Sequence, residues 1–203
     1  MRKDAVYHGV RRKEIVNRQG DWIQTYTGKR FFILDPRAED FDIKDVAHAL
    51  AMKCRYNGHC DKFYSVAQHC VHVADECEKR YPNHPSMARW GLMHDLAEAY
   101  LPDIPRPIKH MGVGILAMAE TLIMTCAVTV FQLYPSIEPK EVKAIDSALL
   151  ATEAHQLMKQ PPNDCQWFLP EPPVKLNIDP WYPWNAEEIF LSRYEQLFRG
   201  YGA

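Results

Sequence analysis

None of the six cysteines stands three residues from another, so the chain has no C-x-x-C pair. A closed thiolate zinc site and a dithiol redox motif both use that spacing, and its absence sets both aside. Cys54, Cys60, Cys70 and Cys77 fall in or beside helical patterns and read as reduced, half-buried thiols of a cytoplasmic protein. Basic residues near the start are followed by no apolar run, so no secretory signal is expected. The longest apolar stretch, 112–133, is broken by Glu120, threonines and Gln132, and reads as a buried helix rather than a membrane span. Internal repeats are missing and strand-forming segments are scarce. A formal charge of only −2 argues against wholesale nucleic-acid binding, so no stable nucleic-acid partner is expected, and with no apolar span no membrane is either. Residues 1–30 depart from that balance, with eight Lys/Arg against Asp4, Glu14 and Asp21. They form either a solvated arm or a surface that attracts phosphates.

What is present reads as one mainly α-helical domain, 1–203, with its core at about 40–160. Residues 22–34, WIQTYTGKRFFIL, are aromatic and β-branched around Thr27-Gly28-Lys29, which predicts a small N-terminal β-hairpin within an arm at 20–36. Asp42 caps a helix expected to run to about Tyr56 and to stop at Asn57-Gly58. Ser65 and Gln68 have capping-box spacing ahead of a helix to about Arg80. Ser86 is read as the cap of a third helix that continues to Pro102. A long helix at roughly 108–133 and another from Pro139 to about Met158 follow. Residues 160–184 are irregular, and Asn185 and Glu188 are read as the start of a last helix to about Arg199.

The third helix poses the functional question. WGLMHDLAEAY, residues 90–100, has the apolar content of a buried helix yet carries His94, Asp95 and Glu98. Burying such groups costs several kcal/mol unless something pairs with them. Partners exist elsewhere: SVAQHCVHVA places His69 near the start of the preceding helix, and KAIDSALLATEAH places Asp146 on the helix after the long one. The spacing is His69, 24 residues, His94-Asp95, 50 residues, Asp146. Two imidazoles and two carboxylates brought together would suit Mn²⁺, Fe²⁺, Co²⁺, Ni²⁺, Zn²⁺ or Mg²⁺. On a continuous helix Glu98 would share the face of His94 and Asp95, where a carboxylate can exchange protons beside a hydrolytic metal. Lys143, three residues before Asp146, would bring an ammonium near the same place.

This H…HD…D pattern, with YSVAQH, HDLAEAYLPDIPRPIK and the later Asp146, resembles the HD-domain phosphohydrolase superfamily over about residues 40–160. It is most similar to the branch of 5′-deoxynucleotidases and phage-type deoxynucleoside triphosphate triphosphohydrolases. The resemblance implies a helical HD bundle, a divalent metal on His69, His94, Asp95 and Asp146, and Glu98 as a proton-transfer group. Asp103 matches an acidic position that would orient water or a sugar hydroxyl, although a helix stop before Pro105 explains it equally. Arg55 and Lys109 match basic positions of the branch and, with Lys143, would bind phosphates. Tyr56, beside Arg55, and more weakly Trp22 are candidates to stack on a base. The implied activity is release of triphosphate from a deoxynucleoside triphosphate, with dATP one candidate, although Gly58 beside Tyr56 offers no bulk for strict adenine selection. The rivals are a 5′-deoxynucleotidase acting on monophosphates and a non-catalytic nucleotide sensor or scaffold. The branch also implies a homo-oligomer, dimer or hexamer, in the cytoplasm, or in the host cytoplasm if the gene is a bacteriophage's. His48, His59, His110 and His155 have no evident partner, and His72 reads as exposed or capping.

Overall fold

The computed structural model describes residue 18 and residues 20–102, 114–162 and 172–199. Asp103 and Lys109 lie outside the described residues. Within them the chain is mostly helical, with six α-helices and one two-stranded antiparallel sheet near the N-terminus.

The sheet is the expected hairpin. Strand β1 (Trp22–Gln24) pairs with β2 (Arg30–Phe32) in the register Trp22↔Phe32, Ile23↔Phe31 and Gln24↔Arg30. Gly28 closes the turn at φ +86°, a left-handed backbone that side chains disfavour. Phe31 anchors the hairpin to the helices: it is fully buried, stacks on Tyr100 at 3.6 Å and meets Phe41 edge-on at 5.2 Å.

Helix α1 (Ile43–Met52) starts at the expected cap, where Asp42 accepts from the Lys44 amide. It ends four residues before Tyr56, because Lys53 turns extended and the chain bonds sideways. Arg55 N–H donates to Tyr64 O at 2.9 Å and Val66 N–H to Lys53 O at 3.1 Å. These bridge bonds compete with another helical turn and win. A 3₁₀ turn, Arg55–Gly58, follows, with Tyr56 and Asn57 both at positive φ.

Helix α2 (Val66–Arg80) lies at the centre and packs against α1, α3 (Pro85–Met93), α5 (Lys140–Leu157) and α6 (Pro183–Phe198). Two helix starts differ from the sequence reading for one reason. Pro85 and Pro183 occupy first-turn positions, where a missing N–H costs nothing. His84 and Tyr182 are therefore the flanking residues, and Ser86, Asn185 and Glu188 lie inside the helices. Pro139 instead flanks α5.

Helix α4 (Gly114–Val130) buries Ala119, Ile123 and Ala127 but leaves Ile115, Met118 and Leu122 exposed. No helix among the described residues is long and apolar enough to cross a membrane. The irregular C-terminal segment is held by side-chain amides and hydroxyls in place of strand partners. Val174 N–H donates to Thr152 Oγ1 and Ile178 N–H to Gln156 Oε1, both at 2.8 Å.

Helices α2 and α3 approach closely at Gly91. A Cβ on Gly91 would stand 3.0 Å from the Ala74 backbone and 3.1 Å from Cys77 Sγ. Backbone cannot yield there, so Gly91→Ala is expected to destabilise the fold by about 1–3 kcal/mol, read as a lower denaturation midpoint with an unchanged m-value.

Candidate metal centre

Three helices each contribute to one cluster. Ser65 is extended (φ −83°, ψ 156°), and its hydroxyl accepts from the Gln68 amide at 3.1 Å, which fixes the start of α2 and sets His69 in its first turn. The reciprocal half of the capping box does not form. Gln68 is fully buried, and its side chain donates to Asp179 O at 2.8 Å and accepts from Trp181 N–H at 2.9 Å.

His94 closes α3, and its Nδ1 donates to Gly91 O at 2.8 Å. In a continuous helix that carbonyl would take the Asp95 amide. The helix instead breaks, with Asp95 at φ −97°, ψ 17°, and resumes as a 3₁₀ turn, Leu96–Ala99. The expectation of one unbroken helix through WGLMHDLAEAY is corrected by this break, and so is the shared helical face of His94, Asp95 and Glu98. Helix α5 supplies Asp146 and, two turns later, Glu153.

The two imidazole Nε2 atoms are 3.3 Å apart. Asp95 Oδ2 lies 3.9 Å from His69 Nε2 and 3.4 Å from His94 Nε2. Asp146 Oδ1 lies 3.1 Å from His69 Nε2 and 4.0 Å from His94 Nε2. His69, His94 and Asp95 form a compact group able to hold a metal ion, and Asp146 closes on both rings of it.

The donor set fits a cation on its chemistry. Glu153 Oε1 and Gly91 O take the Nδ1 sides of His69 and His94, at 2.6 and 2.8 Å. Both Nε2 atoms are thereby aimed at one space, and at 3.3 Å both can lie about 2.1 Å from a single ion. Outer hydrogen bonds of this kind fix the tautomer of a ligating histidine. Burial and the Arg55 charge oppose protonation of His69, yet Glu153 and Asp146 hold its pKa up to about 9. Burial alone would raise the Asp146 carboxyl, but the His69 hydrogen bond and charge bring it well below the usual range. The carboxylates around these rings thus favour positive charge in the space between them.

No family model matches the chain. It is 33% identical to the protein YfdR of Escherichia coli K12 over 181 residues, covering 87% of this chain and 95% of that one. The chain belongs to the YfdR family. A second relative, RCAP_rcc00048 of Rhodobacter capsulatus, is 33% identical over 146 residues, 67% of this chain and 72% of its own. Both relatives are described as uncharacterized proteins, so this kinship carries no chemistry of its own.

The remaining candidates divide around the centre of this YfdR-family chain. Arg55 reaches it, with Nη1 3.4 Å from Asp95 Oδ2 and Nε 3.2 Å from Glu153 Oε2. Tyr56 is occupied structurally: its hydroxyl donates to Glu153, and its ring lies under the Arg55 guanidinium, 5.4 Å from Cζ. Glu98 is half-buried on the 3₁₀ turn; burial pushes the Cys70 thiol up, and the charges of Asp95, Glu98 and Asp146 add to that. Lys53 Nζ fixes that turn through the carbonyls of Glu98 and Leu101. Lys143 is exposed on α5, three residues before Asp146. Trp22 is on the hairpin, where Arg30 lies over its ring at 5.9 Å.

Two histidines are placed differently from their sequence readings. His48 bonds Glu187 at 2.9 Å and stacks on Tyr26 at 3.7 Å. His72 is half-buried between Gln68, Tyr64 and Trp181. Burial and the His69 charge push it down to about 4, so it packs as a neutral ring outside the metal group. The residue that sequence reasoning missed is Glu153. It stands seven residues after Asp146, a spacing that returns to the same helix face, and that was its one available signal.

Proposed function

We propose that the chain is a metal-dependent phosphohydrolase of the HD type acting on a deoxynucleotide. The observation that carries this reading is the convergence of His69 and His94 Nε2, 3.3 Å apart, on the carboxylates of Asp95 and Asp146, with Arg55 3.4 Å from Asp95. His69, His94, Asp95 and Asp146 would hold the ion. When bound, a divalent cation supplies a Lewis acid that lowers the pKa of water and polarises a phosphoryl oxygen. Arg55 offers the adjacent fixed positive charge for a phosphate. Glu98, half-buried on the turn after Asp95, accepts the proton of the attacking water or returns one to the leaving oxygen.

The triphosphate and monophosphate readings break the same bond, between the α-phosphorus and the sugar 5′ oxygen. They differ in how many further phosphates need cations. Among the described residues Arg55 touches the cluster directly, while Lys143 stands exposed beside it. A monophosphate needs fewer such cations than a triphosphate, so a 5′-deoxynucleotidase is the second reading.

Incubation of the metal-loaded chain with each deoxynucleoside mono- and triphosphate, followed by product chromatography, tests the proposal. Deoxynucleoside plus triphosphate supports the first reading, and deoxynucleoside plus phosphate from the monophosphate supports the second. Nucleotide binding without turnover of any substrate would leave a non-catalytic module. Glu98→Ala is expected to keep the metal and lose roughly 10²–10⁴-fold in rate, the range of a general acid–base group. An unchanged rate would return Glu98 to a structural role.

A further inference from the structure

Glu153 has no exposed surface and no spare oxygen. Oε1 accepts from His69 Nδ1 at 2.6 Å and from the Tyr64 hydroxyl at 2.9 Å. Oε2 accepts from Arg55 Nε at 3.2 Å and from the Tyr56 hydroxyl. Four donors satisfy the carboxylate completely, so it meets no substrate and acts only through its neighbours.

Those neighbours belong to two different tasks. His69 is gripped on both ring edges by α5, with Asp146 at 3.1 Å from Nε2 and Glu153 at 2.6 Å from Nδ1. The Glu153 bond therefore sets the ring plane and the nitrogen offered to an ion. Arg55 comes from the turn after α1, 98 residues earlier in the chain, and Glu153 fixes its Nε while Nη1 reaches Asp95. Tyr56 is held at φ 57°, a left-handed backbone that side chains disfavour, and its bond to Glu153 is a tie that keeps it there. A wholly apolar arrangement of similar volume would often be as stable as this buried ionic one. Fold stability alone therefore gives no reason for an ionised group at position 153.

We propose that Glu153 is a positioning residue that links the two halves of the site, orienting His69 for the metal and Arg55 for a substrate phosphate through one carboxylate. This rests on the phosphohydrolase reading for the identity of the second ligand. The consequence is that one substitution, far from any substrate contact, weakens metal and phosphate together.

Glu153→Gln is nearly isosteric and removes the charge. Its Mn²⁺ affinity, measured by calorimetry on the chelator-stripped chain, is expected to fall about 10–100-fold. Affinity for inorganic phosphate at saturating Mn²⁺ is expected to fall about tenfold, the scale of a misplaced contact. Tyr64→Phe removes a neutral donor from the same carboxylate, and should lower the denaturation midpoint while leaving Mn²⁺ affinity within about threefold. A purely structural Glu153 would instead make both variants less stable and equally good at binding. Wild-type affinity for Mn²⁺ or for phosphate in Glu153→Gln overturns the proposal. Should that variant fail to fold, Glu153→Asp keeps the charge but shortens the reach. Wild-type affinity for either ligand in Glu153→Asp likewise overturns the proposal, and a loss of both supports it. A wild-type chain that binds Mn²⁺ and phosphate but hydrolyses no nucleotide would end the phosphohydrolase reading and leave this inference standing on its binding data.

Discussion

Asp146→Ala is expected to abolish hydrolysis and to lose the divalent ion, and His69→Ala to do the same. Each removes a donor atom from a cluster in which His69 Nε2 and Asp146 Oδ1 are 3.1 Å apart and both face His94. A change one bond further out typically costs about 10–100-fold in metal affinity, so deleting a donor should cost more than that. The variants differ in their effect on the fold. His69 is fully buried, and removing it leaves Glu153 Oε1 with Tyr64 alone. Asp146 is part-exposed, so Asp146→Ala should lose metal with little loss of stability. Metal analysis by mass spectrometry after gel filtration checks this, and full occupancy in both variants would remove the assignment.

Arg55→Ala is expected to be strongly destabilising, by about 3–5 kcal/mol, because it takes the permanent cation from a fully buried carboxylate at Glu153 and leaves it His69 and two tyrosine hydroxyls. It also removes the fixed cation beside Asp95, and a charge-assisted hydrogen bond to phosphate is worth about 1.5–3 kcal/mol, or roughly 10–100-fold in specificity. The two effects separate in a double variant. Arg55→Met with Glu153→Gln removes both charges while the amide oxygen can still accept from His69 and Tyr64, so stability should recover in part over Arg55→Ala while hydrolysis does not. Urea denaturation followed beside the hydrolysis assay reads both. A double variant no more stable than Arg55→Ala would mean that the Arg55–Glu153 pair is not what costs the single variant its stability.

The sequence made the candidate ligands legible because they are polar groups in apolar settings. His69 in SVAQHCVHVA and His94-Asp95 in WGLMHDLAEAY each violate a helical pattern that otherwise faces the core, and α2 and α3 do pack together there. The hairpin and the Asp42 and Ser65 caps were legible for a similar reason, since their signals are local. What escaped depends on bonds between distant residues. The early end of α1 follows from Arg55 and Lys53 bonding to Tyr64 and Val66, and the break at Asp95 accompanies a ring donor on Gly91 O. No periodicity records either. Glu153 escaped because a lone glutamate in a helix is ordinarily a solvated charge. Only the fold shows that Arg55, Tyr56, Tyr64 and His69 all converge on it.

The central claim is that His69, His94, Asp95 and Asp146 together hold one divalent ion, and a cobalt titration tests it most directly. Chelator-stripped wild-type chain titrated with Co²⁺ should show a saturable visible absorption reaching its end point at about one ion per chain. That signal should be absent from Asp146→Ala, and it should develop in step with recovered hydrolysis of a deoxynucleotide. A wild-type chain that shows no saturable Co²⁺ signal, or an Asp146→Ala chain that shows the same one, would contradict the account.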